Sequence, residues 1–330
     1  MKHNISHQLL NDYQRDFPLV VDPFDAIARD LGVTETDVIR ELKKLIESGS
    51  VSRIGATIRP GTIGAATLAA VAVPAENLTA VAELVSARDE VNHNYEREDE
   101  LNLWFVVTAS DRAGVARVLA DIERRTGLGV LDLPMVRDYF IDLGFDIDGR
   151  DEDVSPCMLA ARPPVPDEHD RDLIGALESG MPLASRPYDE IGAALGWSGE
   201  NVMNRLRALQ QVCTIRRFGV IVRHHELGFR ANAMTVWQVP EAQIDAIGTR
   251  LGALPYVRLC YRRRPDSRWP YNLYAMVHGR DEDVVRAQVA AATKECGLAG
   301  APRKILFSKR RFKQRGARYL GRGARVEAAE

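Results

Sequence analysis

The sequence predicts a protein of the α+β class, built as a tandem duplication, and two observations support this. The first is near-repetition: RIGATIR at 53–59 returns as RFGVIVR at 217–223, and VNHNYER at 91–97 returns as VRLCYRR at 257–263. The second is a shared order of elements, because each half opens with a helical pair around a glycine turn and continues with alternating strands and helices.

The helical pair of each half has the pattern of a helix–turn–helix. In the first half, Thr34 is placed to cap a helix with Asp37 three residues on, and a turn carrying Gly32 precedes it. In the second half, Ser198 takes the place of Thr34 and Gly196 that of Gly32. The strands predicted at 53–59 and 216–223 follow as wings.

Each half then continues in the order βαββαβ, which is the ferredoxin-like arrangement. A segment rich in Asp and Pro separates the halves and indicates a linker. The predicted domains are a helix–turn–helix (1–60), a ferredoxin-like domain (61–145), a linker (146–168), a second helix–turn–helix (169–224), a second ferredoxin-like domain (225–312) and a basic tail (313–330).

Composition narrows the class of protein. The 330 residues are 45% hydrophobic and 27% charged, with a net charge of −2, which is ordinary for a globular protein and gives no overall attraction to nucleic acid. We expect no membrane span and a cytoplasmic location, since no apolar run reaches about 20 residues and the N-terminus lacks an apolar signal core. The cysteines lack metal-site spacing. The cations of 302–325 fit either a solvated tail or a polyanion contact.

A winged helix–turn–helix followed by a βαββαβ domain resembles the Lrp/AsnC family of transcription regulators, whose second domain assembles dimers and senses small molecules. One alternative is therefore a DNA-binding regulator of that type. The helix predicted at 34–47 argues against DNA binding, because its acids Glu35, Asp37, Glu41 and Glu47 outnumber its cations. The arginines lie instead in the wing and the hairpin.

Those arginine-bearing segments resemble the sirohaem decarboxylase branch of this fold family, of the fused NirD–NirL type. The resemblance covers essentially the whole chain and includes VNHNYER at 91–97, IRRFGVIVRH at 215–224, and CYRRRP at 260–265 with WPYNLY at 269–274. It implies removal of the C12 and C18 acetate carboxyl groups of sirohaem, giving 12,18-didecarboxysirohaem in haem d1 biosynthesis. A tetrapyrrole carrier without catalysis is a further alternative.

The implied substrate carries eight carboxylates around a flat ring, and Arg binds carboxylates in paired hydrogen bonds. Glycine at 219 would let such a ring approach the backbone. Aromatic side chains are expected either to pack on the ring or to fill the core. The predicted substrate-binding residues are Arg216, Arg217, Arg223, Arg262, Arg263, Arg264, Tyr95, Arg97, Tyr261, Trp269, Tyr271 and Asn272.

The histidines are not duplicated, and this asymmetry indicates the predicted catalytic residues. His93 matches Leu259, and His224 matches Pro60. Either histidine suits a general acid, and either could instead ligate the iron of the substrate. No separate cofactor and no protein metal site are expected, since the macrocycle itself can hold electrons. One cleft holding both histidines would perform both steps. Self-association and contact with other haem d1 pathway proteins stay open as partners.

Overall fold

The computed structural model describes residues 5–141, 163–222 and 231–319. Ten helices and ten strands are found in these ranges, together with a short 3-10 helix at Ala75–Asn77. In chain order they are α1 (Ile5–Asp12), α2 (Pro23–Leu31), α3 (Glu35–Glu47), β1 (Val51–Ile58), β2 (Ala65–Val71), α4 (Leu78–Ser86), β3 (Val91–Arg97), β4 (Leu103–Ala109), α5 (Arg112–Thr126), β5 (Leu131–Ile141), α6 (Glu168–Leu177), α7 (Pro187–Leu195), α8 (Gly199–Gln211), β6 (Ile215–Val222), β7 (Ala231–Trp237), α9 (Ile244–Gly252), β8 (Val257–Arg263), β9 (Leu273–Gly279), α10 (Glu282–Glu295) and β10 (Arg303–Gln314).

The chain divides into two compact units, and each unit draws on both halves of the sequence. Met1–Ile63 joins Gly144–Leu227 in the first unit, and Gly64–Leu143 joins Gly228–Glu330 in the second. Like elements of the two halves are therefore grouped together. The helix–turn–helix segments share one unit, and the βαββαβ segments share the other.

Local side-chain chemistry explains where the helices of the first unit begin and end. The backbone N–H of Asp37 donates to the Thr34 hydroxyl at 3.2 Å, and the backbone N–H of Thr34 donates to the Asp37 carboxylate at 3.3 Å. These two bonds confirm the predicted capping box at α3. Ser198 caps α8, where its side chain accepts from the Asn201 backbone N–H at 3.2 Å. Gly32 and Gly196 end α2 and α7 with φ of 68° and 74°, a backbone region that favours glycine.

The two wing strands of the first unit pair with each other. β1 and β6 run antiparallel with Gly55 opposite Gly219. A Cβ atom at Gly219 would lie 2.5 Å from the carbonyl oxygens of Tyr13 and Gln14, and the Val220 N–H donates to the Tyr13 oxygen at 2.8 Å. The expectation that Gly219 makes room for a planar ring was wrong. The backbone after α1 occupies that space.

The second unit is a single closed sheet of eight antiparallel strands, ordered β10–β3–β4–β2–β5–β8–β9–β7. Two long strands join the copies. In β5, residues 131–134 pair with β2 and 135–141 pair with β8. In β10, residues 303–307 pair with β7 and 308–314 pair with β3. Both βαββαβ copies are present as predicted, but they share one sheet.

The residues expected to begin a basic tail instead continue the fold. β10 runs to Gln314, beyond the boundary predicted at 312. The Lys313 ammonium donates to the carbonyl oxygens of Ser86 and Arg88 at 2.5 and 2.6 Å, at the end of α4. Lys313 thus satisfies carbonyl groups at the C-terminal end of α4, where the helix dipole favours a positive charge. Residues 320–330 lie outside the described residues.

Alternation along the strands creates two kinds of core in the second unit. On β2, Ala69 and Val71 belong to a core with α4 and α5, whereas Leu68 and Ala70 belong to a core that takes side chains from both copies. The copy-specific core of the second half packs against α9 and α10. The shared core therefore lines the inner face of the closed sheet. Among the described residues, no helix is long and apolar enough to cross a membrane.

Candidate functional site

Three side chains form a row on one face of β3. The rings of His93 and Tyr95 stack with centroids 6.4 Å apart and planes 20° apart. The guanidinium carbon of Arg97 lies 5.6 Å from the centroid of the Tyr95 ring. The three residues come together because alternate residues of a strand share a face. We call His93, Tyr95 and Arg97 the β3 row.

The second copy has an equivalent row on β8, in which leucine replaces histidine. Arg263 lies over the ring of Tyr261 with its guanidinium carbon 4.6 Å from the centroid. Leu259 is partly buried and packs against the shared core. We call Leu259, Tyr261 and Arg263 the β8 row. The duplication therefore preserves the tyrosine and arginine and exchanges only the residue able to transfer a proton.

The arginines of the two rows reach across to the other copy. Arg97 donates to the carbonyl oxygen of Leu306 at 2.9 Å, and Arg263 donates to that of Leu133 at 2.6 Å. Each arginine is 6% exposed, and burial lowers the pKa of Arg97 to about 10. In the described part of the chain, neither guanidinium lies within ion-pair distance of a carboxylate. Two buried positive charges thus lack an anionic partner among residues 5–141, 163–222 and 231–319.

His93 is held beside a residue that our sequence analysis did not select. Its Nδ1 lies 2.9 Å from Oδ1 of Asn92, whose side chain is buried. Burial lowers the pKa of His93 to about 4, so the ring is neutral at pH 7. The feature of the sequence that could have indicated Asn92 is its position directly before a histidine that is not duplicated. Its contact with the ring depends on strand geometry that the sequence pattern does not report.

The three consecutive arginines of the second hairpin do not converge on one point. Arg262 forms an ion pair with Glu241 and lies 3.9 Å from the Asp245 carboxylate. Arg263 turns into the shared core, and Arg264 is exposed to solvent. The pleat of the strand separates neighbouring side chains, so these predicted substrate-binding residues lie on different faces.

The remaining predicted residues of the second hairpin make contacts within the protein. The indole N–H of Trp269 donates to the Tyr274 hydroxyl at 3.0 Å, and its ring packs edge-on against Trp104 and Tyr271. The amide of Asn272 accepts from the Val239 N–H at 2.9 Å and donates to the Val239 oxygen at 2.8 Å. Asn102 makes the equivalent pair of bonds to Val73 in the first copy.

The predicted residues of the wing belong to the first unit. Arg217 is buried, and its guanidinium lies 3.4 Å from the side-chain oxygen of Gln14. Arg216 is partly buried on the same strand, β6. Arg223 and the second predicted catalytic residue, His224, lie outside the described residues.

Comparison with protein-family models gives matches in both units. An AsnC-like ligand binding domain matches residues 62–139 and 226–313. A siroheme decarboxylase NirDL-like HTH domain matches residues 6–51 and 170–216. The matched segments fall in the second and first units, respectively, and in both copies of each.

Individual proteins are similar over the whole chain or over one half. The siroheme decarboxylase NirDL subunit of Paracoccus denitrificans is 46% identical, over 94% of this chain and 95% of that protein. The siroheme decarboxylase NirD subunit of Pseudomonas aeruginosa is 48% identical, over 44% of this chain and 97% of its own. A crystal structure of the siroheme decarboxylase NirDL in co-complex with an iron-uroporphyrin III analogue superimposes with a TM-score of 0.67 and 27% identity, over 96% of this chain and 95% of that one.

Proposed function

The chain belongs to the family of NirDL-type sirohaem decarboxylases, and from that premise we propose that it removes the C12 and C18 acetate carboxyl groups of sirohaem. The product is 12,18-didecarboxysirohaem, in the pathway to haem d1. The difference between the β3 row and the β8 row is the observation that links the proposal to particular residues. Both rows contain a tyrosine and an arginine, and only the β3 row also contains a histidine.

The charge of the site suits a substrate with many carboxylates. Arg97 and Arg263 are buried without a carboxylate partner in the described ranges, so the positive charge of each is compensated by no anion there. Arg264 is exposed and free to bind a carboxylate in a paired geometry. We assign substrate contact to these arginines, with the tyrosines of the two rows beside the ring. The other predicted substrate-binding arginines, Arg216, Arg217, Arg223 and Arg262, stay predictions.

His93 and His224 are the proposed catalytic pair. Loss of carbon dioxide leaves the bonding electron pair on the acetate methylene, from which it spreads into the macrocycle, and one proton then completes the methyl group. The approach of a carboxylate raises the pKa of a neutral histidine, so binding would charge His93 with the proton it returns to carbon. The lone pair of neutral His93 also suits the substrate iron, and the variants below separate these roles.

The direct test is anaerobic incubation of the protein with sirohaem, followed by mass analysis of the tetrapyrrole. We expect a loss of mass equal to two molecules of carbon dioxide. An unchanged mass with a coloured ligand still bound would instead identify a carrier, and an unchanged mass without binding would remove the proposal altogether. Tight, sequence-selective DNA binding across a salt series would favour the regulator.

His93→Ala should abolish both decarboxylations, because a single site would serve both acetates. Leu259→Ala is the matched control on β8 and should retain them. Absorption spectra of the variant with bound sirohaem report iron ligation separately from turnover. If His93→Ala and His224→Ala each lost only one step, two separate sites would be indicated.

Location and partners complete the proposal. We assign the protein to the cytoplasm, with the tetrapyrrole as ligand, no separate cofactor, and other haem d1 pathway proteins or a second copy of the chain as partners. Fractionation of cells with a compartment marker tests the location. Affinity isolation of the intact protein from cells making haem d1 tests the partners.

A further inference from the structure

A β-bulge lies beside the proposed catalytic histidine. Val91 pairs with Val107, but His93 pairs with the adjacent Val106, so Asn92 is an extra residue on β3. A bulge brings the side chains of neighbouring residues closer than a regular pleat allows. The bulge therefore permits the contact between Asn92 and His93, which regular alternation would place on opposite faces.

Asn92 is fixed by its surroundings as well as by the bulge. The residue is 3% exposed, and its main-chain carbonyl oxygen accepts from the main-chain N–H of Arg315 at 2.8 Å. The Arg315 guanidinium in turn lies 3.2 Å from the Asp89 carboxylate. The chain after β10 thus closes over the bulge and restricts the movement of Asn92.

We propose that Asn92 is a positioning residue that holds His93 as the tautomer with the proton on Nδ1. An amide oxygen can only accept, so a bond between Oδ1 of Asn92 and Nδ1 of His93 requires a hydrogen on Nδ1. The lone pair of the neutral ring is then on Nε2 and faces away from Asn92. The assigned tautomer adds to the proposed function. It depends on that function only for the role of Nε2 in catalysis.

The second copy supplies the internal comparison. The same register shift occurs on β8, where Val257 pairs with Val277 and Leu259 with Met276. The extra residue there is Arg258, followed by Leu259 rather than a histidine. The bulge is therefore part of the duplicated scaffold, and the asparagine–histidine pair belongs to the first copy. Arg258→Ala is the matched control.

The test reads the tautomer directly in the intact, substrate-free protein. Histidine labelled with ¹⁵N is followed at pH 7 by two-bond ¹H–¹⁵N correlation, and His93→Gln assigns the signal. We expect protonated Nδ1 in the wild type, in Arg258→Ala and in Asn92→Asp, whose carboxylate accepts the same bond. In Asn92→Ala the proton should move to Nε2. A wild-type ring already protonated on Nε2, or an unchanged tautomer in Asn92→Ala, would overturn the inference.

Turnover provides a second readout. Asn92→Ala should lower kcat by roughly 10- to 100-fold, the usual effect of removing a partner that orients a functional histidine, with little change in KM. Asn92→Asp should restore most of kcat. If Asn92→Ala does not fold, the wild-type tautomer and Asn92→Asp still decide the inference. The predicted tautomer together with unchanged sirohaem would reject the proposed function and leave the role of Asn92 standing.

Discussion

His93 and Leu259 occupy equivalent positions in two rows that are otherwise alike, and the exchange changes both chemistry and stability. Leu259 packs its apolar side chain against the shared core. Desolvation of the partly buried His93 ring disfavours its charged form, which is why its pKa falls to about 4. A neutral imidazole stacked on Tyr95, in the same row as the buried Arg97, is ready to take up a proton when an anion arrives.

The low pKa of His93 predicts how stability depends on pH. The unfolded ring has a pKa near 6.5, so between pH 6.5 and 4 the unfolded state binds more protons than the folded state. The stabilising contribution is complete above pH 6.5 and is lost as pH falls towards 4. At pH 4.5 the loss should be about 2–3 kcal/mol.

Urea unfolding of the wild type and His93→Gln at pH 7.5 and 4.5 measures this contribution. The wild type should lose more stability between the two pH values than the variant, because glutamine does not titrate. Equal losses would mean that His93 is protonated alike in the folded and unfolded states. The difference between the two proteins removes the effect of all other titrating groups.

At the scale of elements, the equivalent glycines of the two wing strands, β1 and β6, have different neighbours. At Gly219 the backbone after α1 approaches so closely that a methyl group has no room. At Gly55, the equivalent position on β1, the nearest atom to an added Cβ is Nε of the Arg53 side chain at 3.3 Å, with the Leu177 carbonyl oxygen at 3.4 Å. A side chain can move aside more readily than a carbonyl group of the main chain.

Gly219→Ala should therefore lower the free energy of unfolding by about 1–3 kcal/mol, the usual cost of overpacking. Gly55→Ala should cost less, about 1 kcal/mol or below. Chemical denaturation of the two variants side by side provides the measurement. Equal costs would show that the segment after α1 can retreat from β6 without penalty.

At the scale of the whole chain, the closed sheet makes the two copies dependent on each other within the second unit. β5 and β10 each pair with strands of both copies, so a single copy leaves unpaired strand edges. Exposed edges are open to pairing with another chain. Every strand of the closed sheet is therefore paired only when both copies are present.

A version made as two chains, cut between residues 150 and 151, should assemble when both parts are produced together. We expect a one-to-one complex by size-exclusion chromatography, with decarboxylation close to that of the intact chain. Each part made alone should self-associate or aggregate through its open edges. A folded, monomeric half would contradict the dependence of the copies on each other.

Much of the local structure follows from the sequence because it depends on residues close together in the chain. The capping box of Thr34 with Asp37 and the turns at Gly32 and Gly196 were predicted and are confirmed. The structure adds that both glycines have a left-handed backbone. The order βαββαβ was likewise evident from periodicity in both halves. The predicted start of the tail, at residue 313, was wrong because β10 continues to Gln314. Residues 308–314 pair with β3, which lies more than two hundred positions away in the chain.

By itself, the sequence determined the α+β class, the duplication, the helix caps and the exchange of His93 for Leu259, because each is a property of a residue and its near neighbours. Only the tertiary structure decided that the copies close into one sheet, that Arg97 and Arg263 bond across it, and that a bulge joins Asn92 to His93. Strand register has a period of two, so a shift of one residue reverses every side chain. Contacts between distant strands select that register, and no local pattern reports it.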